Sequence, residues 1–245
     1  MSEDLKECSE KNEELLKKQY VFLAKIGHEL HNQAHGICGV SDSLDKNWEM
    51  LNDDAKRNIV KDIYKSSEIL ETLLDSLLNF SKVSSDKIEM TFAEFEIIPM
   101  VEEAIKQSKM HRSFKNHVAI KLEQNLIQPT MVGDVFWLRQ LITNIVANAI
   151  KYSQKGTVVV NVGVKLDGEE KFLHISVTDE GIGIPELELD HIFEPFKQSS
   201  RGEEKKSSFG LGLAICREVV ESHKGKIWAQ NNSKVGAKVE FKIPI

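Results

Sequence analysis

The sequence predicts a helical hairpin that pairs with a second copy into a four-helix bundle, followed by an α+β layer domain with a mixed sheet and helices on one face. Three observations predict it. Apolar residues keep a three-four alternation from about Leu16 to Phe80, the spacing of helices packed lengthwise. After SSDKIEM that period gives way to short amphipathic helices and β-branched runs alternating every second residue. The two regimes meet near Val83–Glu94, with no internal repeat or low-complexity stretch, so two domains are expected, residues 1–85 and 86–245.

The first seam runs through Leu16, Leu23, Ile26, Leu30, Ile37, Val40 and Leu44, interrupted by Gln19 and Gln33. The second runs through Ile59, Ile63, Leu70, Leu73, Leu77 and Phe80, with Ser66 as its polar member. Between them, DKNWEMLNDDAK offers Asn52 and two aspartates to cap the second helix. A single hairpin leaves a wide apolar face in water, and burying each Leu or Ile is worth roughly 1.5–3 kcal/mol. A homodimer through residues of about 16–82 is therefore expected. In the second half, IIPMVEEAIKQSKM reads as a helix introduced by Pro99, HVAIKLE as a strand and DVFWLRQLITNIVANAIKYS as a longer helix. GTVVVNVGVKL and KFLHISVTD are strands joined by a Gly168 turn, LGLAICREVVESHK is helical, and GKIWAQN and AKVEFKI close the sheet.

Composition narrows the function. A formal net charge of -6 argues against direct nucleic-acid binding. The three cysteines, Cys8, Cys38 and Cys216, form no CxxC, which excludes a disulfide framework and a thiolate zinc site and fits a reducing compartment. No apolar run is long enough to span a membrane and the N-terminus lacks a signal-peptide core, so a cytoplasmic location is expected.

Three clusters in the second half converge on nucleotide chemistry. DEGIGIP, residues 179–185, sets Asp179 at a strand end beside Gly181 and Gly183. A buried carboxylate there can accept from an exocyclic amine, and glycine lets backbone pass close to a ligand. FGLGLAI, residues 209–215, opens a helix with Gly210, Gly212 and Leu213, whose free N–H groups suit phosphate. NIVANAIKY, residues 144–152, puts Asn144 and Asn148 on one helix face with Lys151 a turn beyond. Neutral oxygens beside a cation suit a phosphate-bound magnesium ion.

In that order the clusters resemble the N, G1, F and G2 boxes of the histidine-kinase ATP-binding domain, the Bergerat (GHKL) fold shared with gyrase, the Hsp90 chaperones and MutL. The resemblance implies ATP and Mg²⁺ as cofactors. It makes Asn148 the magnesium ligand, with Asn144 a secondary one. Lys151 becomes a phosphate contact, Tyr152 the aromatic beside adenine, and Asp179 the adenine-amine partner, with Gly181 and Gly183 shaping that wall. Phe193 and Phe196 in IFEPF resemble the F box; Gly210, Gly212 and Leu213 resemble the phosphate turn; KQSSRGEEKKSS resembles the ATP lid. Ser208 stands where the family often has glycine, and Ala237 where Ser or Thr is common.

In FLAKIGHELHNQAHGICGVSDSL, the heptad register places His28 farthest from the seam. Glu29 beside it can orient the imidazole or accept its proton, and Asn32 lies one turn on. This resembles the H box, usually H-E-x-R-[TN]-P. His28 matches the phosphoacceptor, Glu29 its general base and Asn32 the residue associated with phosphatase activity, while His31 replaces Arg and Gln33 replaces Pro. Without proline the helix should bend less, which implies slow autophosphorylation. His28, His31 and His35 share a broad face with metal-binding spacing, although a solvated cluster is the plainer reading. The resemblance covers roughly residues 20–245 and implies a histidine kinase that autophosphorylates His28 and passes the phosphoryl group to a response-regulator aspartate. A phosphatase-biased kinase and an ATP-binding scaffold are the alternatives.

Overall fold

The computed structural model describes residues 2–84, 90–110, 118–126, 129–195, 197, 200, 210–233 and 235–245. The chain forms two compact units, Met1–Ser81 and Lys82–Ile245.

The first unit is built from α1 (Ser2–Lys46) and α2 (Asp53–Ser84). Asn52 caps α2: its Oδ1 accepts from the Ala55 N–H at 2.8 Å, supplying one of the orphan donors of a helix start. Asn47 closes α1 by donating from Nδ2 to the Ser43 carbonyl at 2.8 Å. The helices approach each other at Gly36, where an added Cβ would lie 4.0 Å from Ser66 Oγ. Ile26 and Leu73 are buried, whereas Leu30, Ile37, Val40, Leu44, Ile59, Ile63, Leu70 and Leu77 are half-buried. Leu23 is 43% exposed. The side chains of Leu16, Gln19 and Phe80 lie outside those described. Trp48 is exposed at the hairpin end, with the Lys56 ammonium 4.4 Å from its ring centroid.

The second unit sets α3 (Ile97–Met110), α4 (Val135–Tyr152) and α5 (Gly212–Ser222) with a five-stranded sheet. The strands are β2 (Val118–Asn125), β4 (Gly156–Asp167), β5 (Glu170–Thr178), β7 (Ala237–Pro244) and β6 (Lys226–Asn231), in the spatial order β2-β4-β5-β7-β6. β2 and β4 run parallel and all other neighbours antiparallel, which makes the sheet mixed. Register aligns Val162 with Ile175 and Ile175 with Phe241, so one face of the sheet is continuously apolar. α4 lies against β4 and β5 and against α3 and α5, and buries Leu138, Leu141, Ile142 and Ile145. The opposite face is polar and aromatic. There Glu240 accepts from Trp228 Nε1 at 3.2 Å, Gln230 Nε2 at 3.0 Å and Lys238 Nζ at 2.7 Å.

A second, two-stranded sheet was not expected. β1 (Ala93–Glu96) pairs antiparallel with β3 (Thr130–Gly133), pairing Ala93 with Gly133 and Glu96 with Thr130. α3 spans the expected IIPMVEEAIKQSKM, with Pro99 in its first turn, and the Ile97 N–H donates to the Pro129 carbonyl at 2.9 Å.

Candidate functional site

β3 delivers the chain to Asp134, the N-cap of α4. One carboxylate oxygen accepts from the Trp137 N–H at 3.0 Å and the other from the Thr91 N–H at 2.7 Å. The Asp134 N–H donates to His223 Nε2 at 3.0 Å, so His223 carries its proton on Nδ1 and donates it to the Val219 carbonyl at 2.7 Å. His223 is thus a buried connector between the start of α4 and the end of α5.

Along α4, Asn144 and Asn148 are half-buried, Lys151 is buried and Tyr152 half-buried. Asn144 Oδ1 accepts from Gln140 Nε2 at 3.3 Å, and its Nδ2 faces Gly212, where an added Cβ would stand 3.9 Å away. Asn144 also reaches Cys216, whose thiol burial pushes up to about 12 and so keeps protonated. The asparagine predicted as a secondary ligand therefore braces the start of α5 against α4. The Lys151 ammonium lies 5.3 Å from the Tyr152 ring centroid.

Asp179 follows β5 and is 8% exposed. Its Oδ1 accepts from the N–H groups of Gly181 at 2.8 Å and Ala237 at 3.1 Å. Burial holds the carboxyl above the ordinary carboxylate value, opposed by those two N–H donors, which favour the ionised form. The loop is pinned on both sides. A Cβ on Gly181 would come within 2.5 Å of the Tyr152 carbonyl oxygen, to which Ile182 N–H donates at 3.4 Å. Gly236 has φ +87 and passes so near the Asp179 carbonyl that any side chain there would collide with it. Asn232 Nδ2 donates to that same carbonyl at 2.8 Å. Asn231 clasps Ile184, accepting from its N–H at 2.8 Å and donating to its carbonyl at 2.7 Å, beneath Gly183.

α5 begins after Gly210, which has φ +70, and its N-cap Leu211 gives no side-chain hydrogen bond. The first-turn N–H groups around Gly212 and Leu213 are therefore unclaimed by a cap. Phe193 is buried, with the Arg217 guanidinium 5.3 Å from its ring centroid. Phe196, Ser208, Phe209 and most of the lid at 197–208 lie outside the described residues, as do His111 and His117. The structure thus joins Asn144 to Gly212 and Tyr152 to Gly181, and fixes Asp179 from β7. Asn231, Asn232, Gly236 and the Ala237 N–H were not singled out from the sequence, where Asn231 reads as the end of a strand and Ala237 as the start of the next.

In the other unit, His28 is exposed and Asn32 Nδ2 donates to its Nδ1 at 3.0 Å. Glu29 does not bond to His28; its Oε1 accepts from Gln33 Nε2 at 2.8 Å. The rings of His31 and His35 stand 4.6 Å apart, but among the described residues no three metal-ligating side chains converge. Nor is any described helix long and apolar enough to cross a membrane.

Residues 133–245 match the family of histidine kinase-, DNA gyrase B-, and HSP90-like ATPases. The chain carries an ATPase domain of that family. Its relatives include proteins named as sensor histidine kinases. It is 32% identical over 225 residues to the sensor protein KdpD of Clostridium acetobutylicum, covering 91% of this chain and 24% of that one. It is 29% identical over 255 residues to the sensor histidine kinase RcsC of Escherichia coli, covering 100% of this chain and 25% of that one. The chain thus spans about a quarter of these curated relatives. Among solved structures, full-length ShkA in complex with AMPPNP superposes with a TM-score of 0.65 at 23% identity, over 91% of this chain and 45% of that one. Histidine kinase ThkA in complex with the response regulator TrrA gives 0.63 at 23% identity, over 94% of this chain and 63% of that one. These likenesses show the fold, with the ATPase domain as its C-terminal part.

Proposed function

We propose that the chain is a histidine kinase that autophosphorylates His28 from Mg-ATP and passes the phosphoryl group to a response-regulator aspartate, working as a homodimer. The observation that carries this reading is an exposed His28, with a carboxylate beside it and an amide one turn on, on a helix that precedes a histidine-kinase-type ATPase domain.

The donor set of the ATPase domain fits nucleotide. With both backbone donors acting on Oδ1, Asp179 offers Oδ2 to an exocyclic amine. The uncapped first turn of α5 suits phosphate oxygens, and Lys151 adds a positive charge. Asn148 supplies an amide oxygen for Mg²⁺, which when bound offsets charge on the phosphates. A ring nitrogen of His28 attacks the γ-phosphorus, the bond to the bridging oxygen breaks and ADP leaves, and the ring proton passes to Glu29. The half-buried seams of α1 and α2 support pairing with a second copy. ATP as phosphoryl donor puts the reaction in the cytoplasm.

Incubation of the intact chain with γ-labelled ATP tests the reading. The expected result is an acid-labile, base-stable label that is lost in His28→Gln and kept in His35→Gln. The reverse pattern would move the site to His35. Nucleotide binding without label in any variant would reduce the chain to an ATP-binding scaffold.

A further inference from the structure

His28 and Glu29 are each held by the residue one turn further along α1. Asn32 meets the ring, and Gln33 Nε2 donates to Glu29 Oε1. Adjacent side chains on a helix point about 100° apart, whereas i and i+4 stand one above the other. Glu29 has therefore swung along the helix to Gln33 rather than around it to His28. Both partners are half-buried, so the hydrogen bond to the carboxylate is less exposed to competition from water. An amide N–H donates best to an ionised carboxylate, which is the form needed to take a proton.

We propose that Gln33 is a positioning residue that restrains Glu29, so that the carboxylate must leave the Gln33 amide before it accepts the ring proton of His28. The inference rests on the reading of His28 as phosphoacceptor and Glu29 as its base. Gln33 then acts as a brake on the phosphorylation step and leaves nucleotide binding alone. The sequence expectation of slow autophosphorylation, attributed there to a straighter helix, acquires a specific contact as its cause.

The test is the autophosphorylation rate of the intact chain over a range of ATP concentrations, for wild type, Gln33→Ala, Gln33→Leu and Gln33→Arg, each with and without Glu29→Gln. Loss of the amide in the Ala and Leu variants should raise the maximal rate roughly three- to tenfold, the range that one net hydrogen bond represents, with KM for ATP unchanged. Ala adds no bulk and Leu restores an apolar seam residue, so a common effect separates the lost bond from altered packing. Gln33→Arg keeps N–H donors and adds a positive charge facing Glu29, so its rate should not exceed that of wild type. In the Glu29→Gln background neither Gln33 change should produce a gain, because both act through one carboxylate. Equal or slower rates in Gln33→Ala and Gln33→Leu, or a gain that persists without Glu29, would overturn the proposal. No phosphohistidine in any protein would instead overturn the kinase reading, and the brake with it.

Discussion

The two units solve the burial problem in opposite ways. The ATPase unit closes its core within itself: Ile142, Ile145, Val158, Leu173, Ile175 and Ile243 are each no more than 2% exposed. In the hairpin, only Ile26 and Leu73 reach that state among the described side chains, and the other described seam residues remain half in water or more exposed. The sheet-and-helix unit thus carries its own stability, whereas the hairpin defers part of its stabilisation to whatever covers the seam. That difference suits the proposed roles, a fixed site for a small molecule in one unit and a surface for a partner in the other.

Melting the intact chain at different protein concentrations offers the largest test of that contrast. Ile142→Ala should cost about 2–5 kcal/mol in the ATPase unit, with a transition that does not move on dilution. Ile63→Ala should lower a hairpin transition that does move on dilution, as expected when association contributes to stability. A hairpin transition indifferent to dilution would break the comparison.

Asp179→Asn sharpens it at the pocket. Asparagine keeps an Oδ1 acceptor for Gly181 and Ala237, so the fold should persist, while nucleotide affinity by calorimetry should fall about 100-fold for loss of a charged hydrogen bond. The same variant has a pH signature. Burial holds the Asp179 carboxyl high, so above the ordinary carboxylate value the folded unit still binds a proton that the unfolded chain has released. Stability must then fall as pH rises through that window, and Asp179→Asn should flatten the fall. An unchanged slope would mean the carboxylate carries no burial cost. The smallest effect belongs to Asn52→Ala, which removes the cap of α2 and should cost the hairpin about 1 kcal/mol, leaving the ATPase transition in place. Thermal unfolding followed by circular dichroism reads both.

Strong periodicity made most of the fold legible. α1, α2, α4 and α5 and the five main strands follow from three-four spacing or alternation, and Asn52 announced its capping role. β1 and β3 escaped because strands of four residues carry too little alternation to stand out from loop, and their pairing joins distant segments. In the site, Asp179 and the glycines were legible because their chemistry is local. The residues that fix Asp179 were not, since Asn232, Gly236 and the Ala237 N–H act only once β7 lies beside β5. Gln33 was legible as a break in the seam, but its bond to Glu29 depends on a side-chain rotamer that no pattern encodes.

Because Asp179 is steadied by backbone from the turn before β7 and from β7 itself, the site proposed for adenine depends on the last strand of the unit. A growing polypeptide on the ribosome can form α4 and β5 yet lack Gly236 and Ala237, and until they emerge Asp179 has neither its closing N–H donor nor its wall. On the proposed reading of Asp179, the site could hold nucleotide only after the last strand of the unit has been made, later than the hairpin.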